Sequence, residues 1–406
     1  MSESGVNDLS SLATPTATSP PAARASEPPH RVHRSTQGIF CLWHGLNAER
    51  WRTLLALGIP RPRQNRLRRW SISVVSRLNS WHEFWETQCY GRRIDQTVIE
   101  HPPIFVLGHW RSGTTLLHRL LTLDPQFTYP NLYECLFPGH FLLTERVITA
   151  LTGWAIPKTR PMDNVAANWN MPQEDEFALL VRTLVSPYML LAFQGRRECY
   201  ERFFDLVDLT PAELALWKRE FVRFLQKLTL RSNKPIVLKS PSHTFRIPLL
   251  LELFPDAKFV YICRDPYAVY NSTAHLRRTM FVENGLGEPN FAGSDEDGLD
   301  WFEHCIRRYE DTKSLIPEGQ LHELKFEDLE VDPLSEMRRV YETLNLPGWD
   351  RAQAAIREHM PEHAAYRKNR FSMDRQTRRW VYERMRFAFE LYGYPSRLPE
   401  SDEAAA

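Results

Sequence analysis

Long apolar runs, metal-binding spacings and surplus charge are all missing from this sequence. No stretch of about 18 apolar residues occurs in it, and no secretory apolar core stands near its start, so neither a membrane-spanning helix nor a signal peptide is expected. The most apolar stretch, 141–156, includes Glu145 and Arg146 and reads as a buried or docking helix. The six cysteines, at 41, 89, 135, 199, 263 and 305, form no C-x-x-C pair. That points to a reduced compartment and away from a disulfide or zinc framework. Fourteen histidines show no H-E-x-x-H spacing, so no metal site is expected. With 51 basic and 50 acidic residues the net charge is +1. A general nucleic-acid binder is excluded, and any anion must be held by a local cluster. Apolar residues are plentiful at 43%, enough for a large core in 406 residues.

Residues 1–36 are rich in Ser, Thr, Ala and Pro and are expected to be a disordered tail. A helical extension follows over 37–101. In it Trp70, Val74, Leu78, Trp81 and Trp85 recur at helical spacing behind Arg61, Arg63, Arg66, Arg68 and Arg69. The first reading is a helix packed on the enzyme with a solvated basic lead-in. The second is peripheral contact with an anionic membrane surface. From 102 the pattern turns α/β. Strands are expected at 104–107, 236–238, 259–262 and 321–325. Helices are expected at 114–123, 211–229, 248–254, 268–277, 301–314, 333–344 and 376–389. Apolar strands alternating with helices imply a parallel sheet covered on both faces. The reading is one α/β domain over 102–395 with helical insertions, followed by a flexible tail over 396–406. The long irregular stretch 129–231 is expected to carry the acceptor pocket.

The most informative segment is Ile104-Phe-Val-Leu-Gly-His-Trp-Arg-Ser-Gly-Thr-Thr-Leu-Leu-His-Arg-Leu-Leu121. An apolar strand enters a turn at Gly108, and a helix leaves from Gly113. This outlines a cradle in which backbone N–H groups and a helix N-terminus meet an oxyanion. It departs from G-x-x-x-x-G-K-[ST], which needs a lysine where Thr114 stands. The cation sits earlier, at Arg111.

Arg111-Ser-Gly-Thr-Thr115 after a strand resembles the 5′-phosphosulfate loop of sulfotransferases, enzymes that use 3′-phosphoadenosine 5′-phosphosulfate (PAPS) as donor. Phe259-Val-Tyr-Ile-Cys-Arg-Asp-Pro-Tyr-Ala-Val-Tyr-Asn-Ser272 resembles the family's 3′-phosphate segment. The resemblance runs from Pro102 to near Tyr394. It is closest to the branch that includes bacterial and tyrosylprotein sulfotransferases. The cytosolic phenol and steroid branch carries a Trp where Leu116 stands, so no adenine-stacking residue is assigned.

The resemblance implies a P-loop-like parallel sheet and metal-independent sulfuryl transfer from PAPS to a hydroxyl or amine. Arg111 with Ser112, Gly113, Thr114 and Thr115 would hold the 5′-phosphate and sulfuryl oxygens. Lys239, ending the strand of Val237-Leu-Lys-Ser-Pro-Ser-His243, would meet the sulfate or bridging oxygen. Arg264 and Ser272 would bind the 3′-phosphate, and Arg367 and Lys368 in a late basic patch would close over it. Two groups compete for the base. Glu134 follows the tyrosylprotein branch, and His243 is a base or an acceptor contact. The acids of Pro172-Gln-Glu-Asp-Glu-Phe177 read as a helix N-terminus or a wall of the acceptor pocket. The acceptor stays open among small molecule, carbohydrate, lipid and protein, with no nucleic acid. The protein is expected in the cytoplasm. The alternative functions are a P-loop-type nucleotide kinase or NTPase, and a non-catalytic nucleotide-binding protein.

Overall fold

The computed structural model describes residues 40–155, 168–365 and 372–399. Four short strands form one sheet: β1 Ile104–Leu107, β2 Val237–Lys239, β3 Lys258–Cys263 and β4 Leu321–Lys325. Their order is β2-β1-β3-β4 and every pairing is parallel. The register sets Val106 against Lys239 and Leu107 against Tyr261. Side chains alternate between faces. Phe105, Leu107, Leu238, Phe259 and Tyr261 enter one core, and Ile104, Val106, Val237, Val260 and Ile262 enter another. A sheet buried on both faces accounts for the uninterrupted apolar runs that marked the strands in the sequence.

Helices cover both faces. In chain order they are α1 Ala48–Ala56, α2 Arg66–Asp95, α3 Thr114–Thr122, α4 Leu132–Leu136, α5 Phe141–Thr152, α6 Glu176–Thr183 and α7 Pro211–Arg231. After β2 come α8 Ile247–Leu253, α9 Pro266–Asn284 and α10 Ser294–Thr312. After β4 come α11 Phe326–Val331, α12 Pro333–Thr343, α13 Trp349–Ala365 and α14 Arg375–Tyr392. The first core also takes Trp43, Leu46, Trp51 and Leu54. The helical extension is therefore continuous with the α/β body through a shared core.

Three expectations change. Where it is described, the stretch 129–231 carries four helices, α4 to α7, joined by turns. Asn131 caps α4 and Thr210 caps α7, each in a reciprocal capping box with a glutamate three residues on. The stretch 141–156 buries only Phe141 and Thr144 of α5. The segment from 396 is held where it is described. Tyr267 donates its hydroxyl to Ser396 O, and Arg397 Nη2 lies 2.7 Å from Asp265 Oδ2. The expected tail 1–36 and the patch with Arg367 and Lys368 lie outside the described residues.

Candidate active site

The turn after β1 is built on two glycines with positive φ. Gly108 (φ 139°) lies so close to β3 that a Cβ would sit 2.5 Å from Ile262 O. At Gly113 (φ 105°) a Cβ would sit 2.3 Å from Phe326 Cδ2. Both positions exclude a side chain on space as well as on backbone conformation. Between them Arg111 also adopts a positive φ, 70°, a conformation that costs a non-glycine residue about 1–3 kcal/mol and concentrates at functional turns. Thr244 holds the start of the turn by accepting from Gly108 N–H at 2.8 Å. Ser112 is buried, and both its N–H and its hydroxyl donate to His109 O, at 3.1 and 2.8 Å. Its side chain shapes the turn, which leaves its backbone neighbours for an anion. The first N–H of α3 bonded to a backbone carbonyl is that of Leu116, to Gly113 O at 3.0 Å. Among the described residues the N–H groups of Gly113, Thr114 and Thr115 have no backbone acceptor, as befits a helix N-terminus open to a ligand.

The second phosphate segment meets this turn directly. Arg111 Nε donates to Ser272 Oγ at 2.7 Å, and Arg264 Nη1 donates to Arg111 O at 3.0 Å. Ser272 lies on α9, and Arg264 follows β3, the neighbour of β1. Two motifs about 150 residues apart thus form one cluster. The Arg264 guanidinium lies over the Phe326 ring, 4.1 Å from its centroid, and its Nε is buried without a hydrogen-bond partner. Two arginines, a serine hydroxyl, an orphaned buried N–H and an open helix terminus fit the phosphates of a nucleotide that carries them at two positions.

Lys239 ends β2 beside β1 and is buried, with Nζ 2.7 Å from Glu174 Oε1. The other oxygen of Glu174 accepts from the Tyr188 hydroxyl, which accepts from Trp110 Nε1 at 2.8 Å. Burial, and next the Glu174 charge, push the Tyr188 phenol well above its ordinary range, so it stays a donor to Glu174. Glu174 was read from sequence only as one of several acids. The signal available there was its place directly before a helix N-terminus. Its neighbours point elsewhere: Asp175 precedes α6 and Glu176 opens it. Asp175 Oδ2 lies 2.6 Å from His243 Nε2 and its Oδ1 accepts from Ser240 Oγ at 2.8 Å. Glu176 pairs with Arg246 at 2.6 Å with both side chains wholly buried. Three consecutive acids thus engage Lys239, His243 and Arg246, at and just after the end of β2.

The two groups expected to compete as base each have other partners. Glu134 is fully buried, accepts from Asn131 N–H at 2.8 Å in the capping box of α4, and pairs with Arg231. Burial pushes its carboxyl up to about 7, against the pull of Arg231. His243 is also fully buried, wedged against Phe105 and Phe221 with Nδ1 unpartnered. Glu134 is engaged by its capping box and Arg231, and His243 by Asp175. Among the described residues no group of three or more His, Cys, Asp or Glu could hold a metal ion.

Comparison with known proteins agrees with this geometry. The model of the "Sulfotransferase family" matches residues 102–351. The omega-hydroxy-beta-dihydromenaquinone-9 sulfotransferases Stf3 of Mycobacterium bovis and Mycobacterium tuberculosis are each 39% identical over 378 residues, covering 91% of this chain and 95% of theirs. The crystal structure of sulfotransferase STF9 from Mycobacterium avium superposes with a TM-score of 0.64 at 19% identity, covering 87% of this chain and 94% of that one. That of STF1 from Mycobacterium tuberculosis gives 0.57 at 20% identity, covering 84% and 93%.

Proposed function

This chain belongs to the sulfotransferase family and transfers sulfuryl groups, and we propose that it takes them from PAPS and delivers them to the terminal hydroxyl of a prenyl-type lipid alcohol. The acceptor class rests on the 39% identity, over nearly the whole chain, to enzymes named for an omega-hydroxylated menaquinone. An acceptor of that chemistry resides in a bilayer, so the enzyme works at a membrane face. Among the described residues no helix is long and apolar enough to cross one.

The observation that carries the mechanism is the Lys239–Glu174 pair at the end of β2, next to the phosphate loop. In transfer the bond from sulfur to the donor phosphate oxygen breaks, and a bond from sulfur to the acceptor oxygen forms. Negative charge grows on the leaving phosphate, and fixed cations with helix N–H groups stabilise it. Lys239, Arg111 and the start of α3 supply these. Glu174 takes the acceptor proton. Tyr188 holds that carboxylate in place through its second oxygen, as a positioning residue. Arg264 and Ser272 bind the 3′-phosphate. The kinase or NTPase alternative loses its basis, since Thr114 stands where that chemistry needs lysine.

The test is transfer from labelled PAPS to omega-hydroxylated prenyl quinols, a simple phenol and a sugar. Label on the prenyl hydroxyl is expected. Label on phenol or sugar alone would retire the lipid reading, and no label with any acceptor despite tight binding of adenosine 3′,5′-bisphosphate would retire the acceptor classes tested.

A further inference from the structure

Helix α2 is packed inside out. Its buried side is largely polar, with Arg68, Ser76, Asn79 and Glu86 beside Ile72 and Ile94. Arg68 donates to Gly285 O at 3.0 Å, and Asn79 donates to His44 O and Leu46 O at 2.7 and 2.9 Å. Its outer side carries Trp70, Val74, Leu78, Trp81, Phe84 and Trp85, all exposed, Trp70 to 67% and Trp81 to 59%. Steps of three and four residues align them into one stripe on a 30-residue helix, about 45 Å long. The same inversion recurs on α5. Leu143, Val147 and Leu151 are exposed, and Trp154 just beyond is 86% exposed. The two helices meet where Leu143 N–H donates to Glu86 Oε2 at 3.2 Å.

The charge beside the stripe is mostly positive. Arg66, Arg77, Arg92 and Arg93 of α2 and Arg146 of α5 are exposed. Of the acids of α2, Glu83 and Glu86 face inward on Arg182 and Lys227, and Asp95 at its last residue pairs with Arg223 at 2.6 Å. Glu145 of α5 is engaged by Asn131 Nδ2 at 2.6 Å. Rows of Trp, Phe and Leu bordered by arginine, on a face that no part of the described chain covers, suit the boundary between headgroups and acyl chains.

We propose that the outer face of α2 and α5 docks on an anionic lipid surface, with the indole rings at headgroup depth and the arginines on lipid phosphates. A second copy fits this face less well. Isologous pairing would bring both rows of arginine together, and the exposed carboxylate of α2, Asp95, is already paired with Arg223 at 2.6 Å. The inference deepens the lipid-acceptor reading, but its test uses no acceptor.

The full chain is sedimented with vesicles of phosphatidylcholine alone and with vesicles that also contain phosphatidylglycerol. Partitioning onto the anionic vesicles is expected, weakening as salt rises, with a blue shift of tryptophan emission. Joint Trp81→Ser and Trp85→Ser should cut partitioning by about tenfold or more, and Arg77→Gln by about fivefold, while melting temperature and nucleotide binding hold because these side chains are exposed. Failure to partition onto anionic vesicles would overturn the proposal. So would a lipid-free dimer that the same tryptophan changes dissolve, which would assign the face to a second copy. Vesicle binding with no transfer to prenyl alcohols would leave the docking face standing and retire only the acceptor class.

Discussion

Arg111 Nε donates to Ser272 Oγ at 2.7 Å, tying the turn after β1 to the helix after β3. The hydroxyl expected to serve the donor's 3′-phosphate is thus in contact with the arginine of the 5′-phosphosulfate loop. Under the proposed assignment, both ends of the nucleotide would be recognised through one bonded cluster.

The first prediction concerns selectivity. Adenosine 3′,5′-bisphosphate should bind at least tenfold better than AMP by calorimetry, since a charge-assisted contact is worth about 1.5–3 kcal/mol. Arg264→Ala should weaken the bisphosphate by about tenfold or more and leave AMP nearly unchanged. Equal affinity of the wild type for the two nucleotides would contradict the assignment.

The second separates the base from its rivals. Glu174→Gln should lower kcat by about 10²–10⁴-fold with donor affinity nearly intact. Lys239→Met should be as damaging, because leaving-group stabilisation is needed whichever base operates. Glu134→Gln and His243→Ala should lower the melting temperature, with kcat of the folded fraction close to wild type. A Glu174→Gln enzyme of normal turnover would end the assignment.

A third prediction follows from the buried pair Arg246–Glu176, whose arginine also donates to Phe204 O and Phe203 O at 2.9 and 2.8 Å. Arg246→Leu leaves a buried carboxylate without its counter-charge and should cost about 3–5 kcal/mol of stability in denaturant titration. A loss below about 1 kcal/mol would mean that the turn after β2 does not depend on the pair.

The fourth concerns acid. Burial holds His109, His118 and His140 near a pKa of about 3, against 6.5 for the free side chain. The unfolded chain therefore binds protons below pH 6.5 that the folded one refuses. Stability is whole above that value and is lost as pH falls toward 3, by about 1.4 kcal/mol per pH unit for each histidine. Glu134, raised to about 7, acts oppositely, favouring the folded state as pH falls from 7 to about 4.5. The buried histidines outnumber Glu134, so unfolding free energy should fall between pH 6 and 5. A flat profile of unfolding free energy over that range would refute it.

The fifth is that EDTA leaves transfer unchanged and added magnesium does not raise it, because Arg111 and Lys239 neutralise charge where a triphosphatase uses the metal. Loss on chelation, restored by magnesium, would refute it.

The parts of the site that the sequence displayed are those set by local pattern. The glycine turn, Arg111, Lys239 and Arg264 lie at strand ends, where uninterrupted apolar runs give way to a turn, and Ser272 follows on the helix after β3. All four strands were legible for the same reason, to within one residue at their ends. What stayed hidden depends on distant packing. Glu174 stands out from Asp175 and Glu176 only because β2 ends opposite it. Glu134 has the spacing of a base, but Arg231, 97 positions away, claims it. Helix α2 is amphipathic on paper. Which side faces in was decided by partners such as Gly285 and Lys227, far along the chain.

The hold on Asp265 by Arg397 and on Tyr267 by Ser396 has a consequence for synthesis. Asp265 caps α9, the helix that carries Ser272. On the ribosome all four strands and both phosphate segments emerge well before residue 396. The sheet can form early, yet the start of α9 is not clamped until those late residues are free of the exit tunnel. A nascent chain stalled short of them would carry Arg111, Lys239, Arg264 and Ser272 and still have a loosened start of α9.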